Sequence, residues 1–119
     1  MSAKVKLNID NPIKIAFSAK DIEEAILSIL VEKHLEGVFE VDLKFVSVQE
    51  IHKLNREFRE IDKPTDVLSF PIHEKVDKNT PRPVLLGDII LCSELANDNI
   101  IDLIKHSTLH LLGFHHKED

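Results

Sequence analysis

Near its C-terminus the chain reads His106, His110, Gly113 and His116, an H-x-x-x-H-x-x-G-x-x-H spacing that leaves little choice of local structure. On a helix, residues four apart lie one above the other with Cβ atoms about 5–6 Å apart, so His106 and His110 leave from one face. The other face has to be covered, and Ile100, Ile101, Leu103, Ile104, Leu111 and Leu112 supply the apolar positions that bury it. Gly113 can adopt the left-handed conformation that ends a helix, which lets the chain fold back and bring His116 beside the other two histidines. A chain built this way needs a C-terminal helix laid on a core, with its histidine face open.

Three imidazoles suit one zinc ion per chain and leave its fourth position open, the arrangement of a catalytic site rather than a closed structural one. The competing reading makes the histidines helix-end charges favoured by the macrodipole. A purification tag would not be interleaved with Leu109, Leu111, Leu112 and Phe114. The same spacing occurs in metzincin proteases, where a glutamate follows the first histidine and acts as general base. Here that residue is Ser107, which cannot take a proton at neutral pH unaided, so a minimal metallopeptidase is the weakest of the hydrolytic readings.

The rest of the chain supplies the core. Its 119 residues, 43% hydrophobic and 30% charged, are expected to make one globular domain, 1–119, and exclude disorder for most of the chain. The single cysteine, Cys92, forms no internal disulfide and reads as a small buried hydrophobe. No apolar run is long enough to span a membrane and the N-terminus lacks a signal-like stretch, so the expectation is a cytoplasmic protein with no membrane partner and no nucleotide cofactor. A net charge of −6 argues against a general nucleic-acid coat protein while leaving room for a local basic groove.

Residues 4–10 alternate as a strand. Ser18 opens a helix with Ile22, Ala25, Ile26, Ile29 and Leu30 on one face, and Gly37 is expected to stop it. Phe39, Val41, Leu43 and Phe45 alternate as a second strand, and Ser47 caps a second helix running to about Arg59. Pro64 and Pro71 bracket a short strand, 74–83 reads as a loop, and 85–91 reads as a strand buried on both faces. Asn97 or Asp98 is expected to cap the last helix. The resulting fold class is α+β: one domain with a mixed sheet of about four strands flanked by helices and a zincin-like metal helix at the C-terminal end.

These residues resemble the bacterial YbeY endoribonucleases. The tail His106-Ser-Thr-Leu-His110-Leu-Leu-Gly113-Phe-His115-His116 resembles the family's H-G-x-L-H-L-x-G-Y-D-H. Leu54-Asn55-Arg56-Glu57-Phe58-Arg59 with 62–71, and Gly87-Asp88-Ile89-Ile90, resemble its L-N-x-x-Y-R…D-x-P-T-D-V-L-S-F-P and G-D-I-x motifs. The resemblance implies a zinc-dependent, single-strand-specific endoribonuclease acting in rRNA maturation, at the 16S 3′ end, and in ribosome quality control, with RNA and the ribosome or its proteins as partners. It also implies metal binding by His106, His110 and His116, the spacing favouring His116 over His115 as the third ligand. The sequence departs from the family at Ser107, at His115, and in a shorter stretch between Asp88 and His106.

Arg59 could fork onto a phosphate and stabilise charge developing at phosphorus, so Arg59 and His110 are the expected catalytic residues. Lys53, Arg56, Arg59 and Lys63 recur at helical spacing as a stripe for RNA, set against a solvated face with Lys53–Glu57 and Arg56–Glu60 pairs. Asp66, Asp88 and His115 are candidates for orienting the ligands from behind, with structural roles as the alternative for the two aspartates. Phe70 and Phe114 could stack on bases but have the neighbours of core residues. A different class of function, a ribosome-associated assembly factor whose zinc mainly holds the last helix and tail, fits the acidic surface and the missing base.

Overall fold

The computed structural model describes residues 2–114, so His115 and His116 lie outside the described residues. The elements are β1 (Ala3–Asp10), α1 (Ala19–Glu32), β2 (Gly37–Phe45), α2 (Val48–Arg59), β3 (Val67–Pro71), β4 (Val84–Leu91), a single turn α3 (Ser93–Ala96), a 3-10 turn (Asn97–Asn99) and α4 (Ile100–Leu112). Spatial strand order is β1-β2-β4-β3; β1 and β4 flank β2 in parallel, and β3 runs antiparallel to β4 at the edge. This is the expected α+β domain with a mixed four-stranded sheet.

Alternation decides which face each helix covers. Phe39, Val41, Leu43 and Phe45 of β2, with Leu86, Ile89 and Leu91 of β4, form a floor on which α1 lays Ile22, Ile26 and Leu30 and α4 lays Ile104, Leu111 and Leu112. Burying each such side chain stabilises the fold by about 1.5–3 kcal/mol. The second face is covered only in part: α2 sets Ile51 against Val46, Leu68 and Cys92, with Phe70 and Ile90 beside them. The Ser18 and Ser47 hydroxyls accept from the N–H groups of Asp21 and Glu50, each at 3.2 Å, as capping predicts.

Four sequence expectations need correction. Helix α1 stops at Glu32, because His34 takes the left-handed turn, and Gly37 begins β2 instead of ending the helix. Strand β4 is not buried on both faces: Leu85 and Asp88 are exposed where α2 does not reach. Asn97 and Asp98 are used in the 3-10 turn, and α4 begins after Asn99 without a side-chain cap. Finally, α2 ends at Arg59 and Glu60 is left-handed, so Lys63 belongs to the following loop and not to a helical stripe. Among the described residues no helix is long and apolar enough to cross a membrane.

Candidate functional site

Helix α4 packs its Ile104–Thr108–Leu111 side inward and turns His106 and His110 the other way. The two rings meet edge to face, centroids 4.5 Å apart, with their Nε2 atoms separated by 2.9 Å. Two nitrogen ligands at about 2.0–2.1 Å from a tetrahedral ion stand a little over 3 Å apart, so this convergence fits a shared metal with only a small adjustment. Among the described residues no three ligating side chains gather. The third expected ligand, His116, and His115 fall outside them.

Around the histidine pair lies an open cleft of about 390 Å³, lined by Arg59, residues 65–69, Leu103, His106 and His110. Arg59 arrives from the end of α2, while Asp66, Val67 and Ser69 come from β3 and its approach. The loop between them is held from α2. The Asn55 side chain donates to the Lys63 carbonyl at 2.8 Å, the Ile61 N–H donates to the Asn55 carbonyl at 3.3 Å, and Asp62 meets His52 at 2.8 Å and Arg56 at 3.9 Å. An arginine, a carboxylate and two imidazoles facing one cleft can bind a phosphodiester, hold a metal and exchange a proton.

Of the predicted residues, then, the structure brings together Arg59, Asp66, His106 and His110. Lys53, Arg56 and Lys63 are exposed but do not line the cleft, and Arg56 pairs with Asp62 in place of Glu60. Asp88 lies elsewhere, opposite Asp42 on the uncovered sheet face, where partial burial first and the Asp42 charge second raise its carboxyl above the usual range. Phe70 packs against Phe58, centroids 5.4 Å apart, whereas Phe114 is exposed with the Lys33 ammonium 4.5 Å above its ring. Thr65 and Ser69 line the cleft although the sequence assigned them no role, and Leu103, expected on the buried face of the last helix, lines it beside His106 and His110. Strand alternation from Val67 was the signal that could have found Ser69.

Ser107 is fully buried and its hydroxyl has no hydrogen-bond partner among the described residues. The position that holds a glutamate in metzincins therefore faces protein. An unsatisfied buried hydroxyl costs about 1–3 kcal/mol, so Ser107→Ala should melt at the wild-type temperature or above it while keeping its metal. Calorimetry on the two proteins checks this; a clear fall in Tm would mean that the hydroxyl is bonded in solution.

A family model described as "Endoribonuclease YbeY" matches residues 6–119. The chain belongs to the YbeY family. The endoribonuclease YbeY of Finegoldia magna is 38% identical over 83% of this chain and 70% of its own length. That of Halalkalibacterium halodurans is 41% identical over 74% and 66%, and that of Rhizorhabdus wittichii 43% identical over 67% and 57%. The matches to the last two thus span less than two thirds of those relatives. A solution structure of a Thermotoga maritima protein aligns over 98% of this chain and 76% of its own, with a TM-score of 0.47 and 25% identity. Arg59, Asp66, His106 and His110, which line the cleft, all lie within the stretch that the family model matches.

Proposed function

We propose that the protein is a zinc-dependent, single-strand-specific endoribonuclease of the cytoplasm, acting in rRNA maturation at the 16S 3′ end and in ribosome quality control. The observation that carries this reading is the meeting of Arg59 with the His106–His110 pair at one cleft, within a chain of an endoribonuclease family. RNA phosphodiester hydrolysis follows from the family, and the ribosome is the partner that rRNA maturation requires.

His106 and His110 would hold the metal from α4, with His116 as the third ligand. A bound Zn²⁺ supplies Lewis acidity toward a phosphoryl oxygen and lowers the pKa of water near it. Arg59 binds the scissile phosphate with two parallel N–H donors and stabilises the charge that builds on its oxygens. Asp66 is the carboxylate among the described cleft-lining residues, and would accept a proton or orient an imidazole. The cleft is partly open to solvent, as a polymeric substrate requires.

Arg59→Ala is expected to lower kcat/KM on a single-stranded RNA by about 10²–10³-fold, the usual cost of removing one donor to a developing oxyanion. Arg59→Lys should recover only part of that loss, because an ammonium lacks the fork. Both variants should keep wild-type zinc content. Cleavage at the wild-type rate by Arg59→Ala would remove the arginine, and with it this assignment of the cleft.

A further inference from the structure

We propose that the open edge of β3 seats the RNA strand, with the main-chain N–H of Ser69 donating to a backbone phosphate. The inference rests on the RNA-cleaving reading above and names how the same cleft takes hold of its substrate.

The ladder between β3 and β4 carries the argument. The Cys92 N–H donates to the Asp66 carbonyl at 2.9 Å and the Ile72 N–H to the Leu86 carbonyl at 3.1 Å. Between these bonds the register runs unbroken, Leu68 opposite Ile90 and Phe70 opposite Asp88. Hydrogen-bonded pairs alternate in an antiparallel ladder, so the even-numbered residues turn their N–H and C=O groups toward β4. Val67, Ser69 and Pro71 turn theirs outward. Among the described residues no further strand lies beyond β3, which ends the sheet.

The sequence agrees with this parity. Proline costs no ladder bond at an outward position, and the proline of β3, Pro71, occupies one. The Val67 carbonyl accepts from the Thr65 hydroxyl at 3.4 Å, so the outward N–H groups of Val67 and Ser69 are the donors this edge offers. Side chains follow the same period: Leu68 and Phe70 pack under α2, while Val67 and Ser69 face α4 and line the cleft with Leu103, His106 and His110. The outward N–H groups thus run along a cleft that also holds the Arg59 guanidinium, a combination that favours an anionic strand. An extended peptide could add to the same edge, but it would leave Arg59 without a charge partner.

The first test titrates ¹⁵N-labelled wild-type protein with a single-stranded 2′-O-methyl RNA oligonucleotide. The amides of Val67 and Ser69 should shift, while those of Leu68 and Phe70, tied to β4, should move far less. The second compares Ser69→Pro, which deletes the outward N–H, with Ser69→Ala, which keeps it. Ser69→Pro should raise KM for single-stranded RNA tenfold or more at wild-type zinc content and leave the salt dependence of binding unchanged, because no cation is removed. Ser69→Ala, which keeps the N–H and loses only the hydroxyl, should raise KM far less than Ser69→Pro. If Ser69→Pro fails to fold, the titration of the wild type decides alone. Wild-type cleavage with an unmoved Ser69 amide, or with an unaltered KM in Ser69→Pro, overturns the seat and spares the enzyme. A response of these amides to an extended Val/Thr hexapeptide but not to the oligonucleotide overturns it in favour of a peptide. A wild type that neither binds nor cleaves RNA overturns both.

Discussion

His110→Ala is expected to emerge from purification without zinc and without RNase activity, yet folded. Loss of a partner that merely supports a ligand costs about 10–100-fold in metal affinity, and removal of a ligand costs more. The fold should survive because His110 leaves α4 on the side away from Ile104, Leu111 and Leu112, so the substitution empties no core position. This separates the catalytic reading from the assembly-factor reading. If the ion mainly held the last helix and tail together, the variant would melt well below wild type, as chelated wild type would. Zinc content, circular dichroism and cleavage of a single-stranded RNA on one preparation distinguish the cases. Zinc lost with cleavage unchanged would move the active site elsewhere.

Gly113→Ala is expected to damage the fold and the metal site together. Gly113 closes α4 with φ of 101°, and its N–H and that of Phe114 bond back to the carbonyls of His110 and Leu109. A Cβ there would lie 2.6 Å from the Glu74 carbonyl oxygen and 3.0 Å from the Lys75 Cα, both backbone atoms that cannot swing aside. The adjacent Val76 N–H to Leu112 carbonyl bond, 3.0 Å, ties the same two segments together. Left-handed strain in alanine costs about 1–2 kcal/mol before the clash is counted, so a loss of about 2–4 kcal/mol follows. On a domain of this size that lowers Tm by roughly 10–20 °C. Because the turn also sets the direction in which the chain leaves toward His116, zinc affinity should fall in the same variant. A Tm and a zinc affinity both at wild-type values would show that the turn relaxes without consequence.

How far the sequence could be read depended on whether a feature was local. The capped starts of α1 and α2, the alternation of β2 and the two-faced character of α4 follow from side chains within a few residues of one another, and each was legible. The end of α1 was not, because a histidine took the left-handed position where glycine is the usual choice, while Gly37 was needed for another reason: the Arg82 side chain occupies the space of its missing Cβ, 2.5 Å away. The exposed part of β4 was illegible for the opposite reason, since nothing local reports that α2 covers only half of a sheet face. At the site, His106 and His110 were evident from spacing. Arg59 was marked out by the family motif and Asp66 by its place beside a strand; what brings both to α4 is the packing of that helix against β3, which no periodicity reveals. Asp88 stands in a motif beside a strand as Asp66 does, yet the register puts it opposite Asp42, away from the cleft.

The most direct test of the account is a metal-replacement assay on wild-type protein freed of any tag. The protein is stripped with a chelator, checked for retained fold by circular dichroism, and titrated with Zn²⁺ while cleavage of a single-stranded RNA is followed. The account predicts a folded, inactive apoprotein whose cleavage returns in full at one equivalent of zinc per chain. Undiminished cleavage by the zinc-free protein would contradict it.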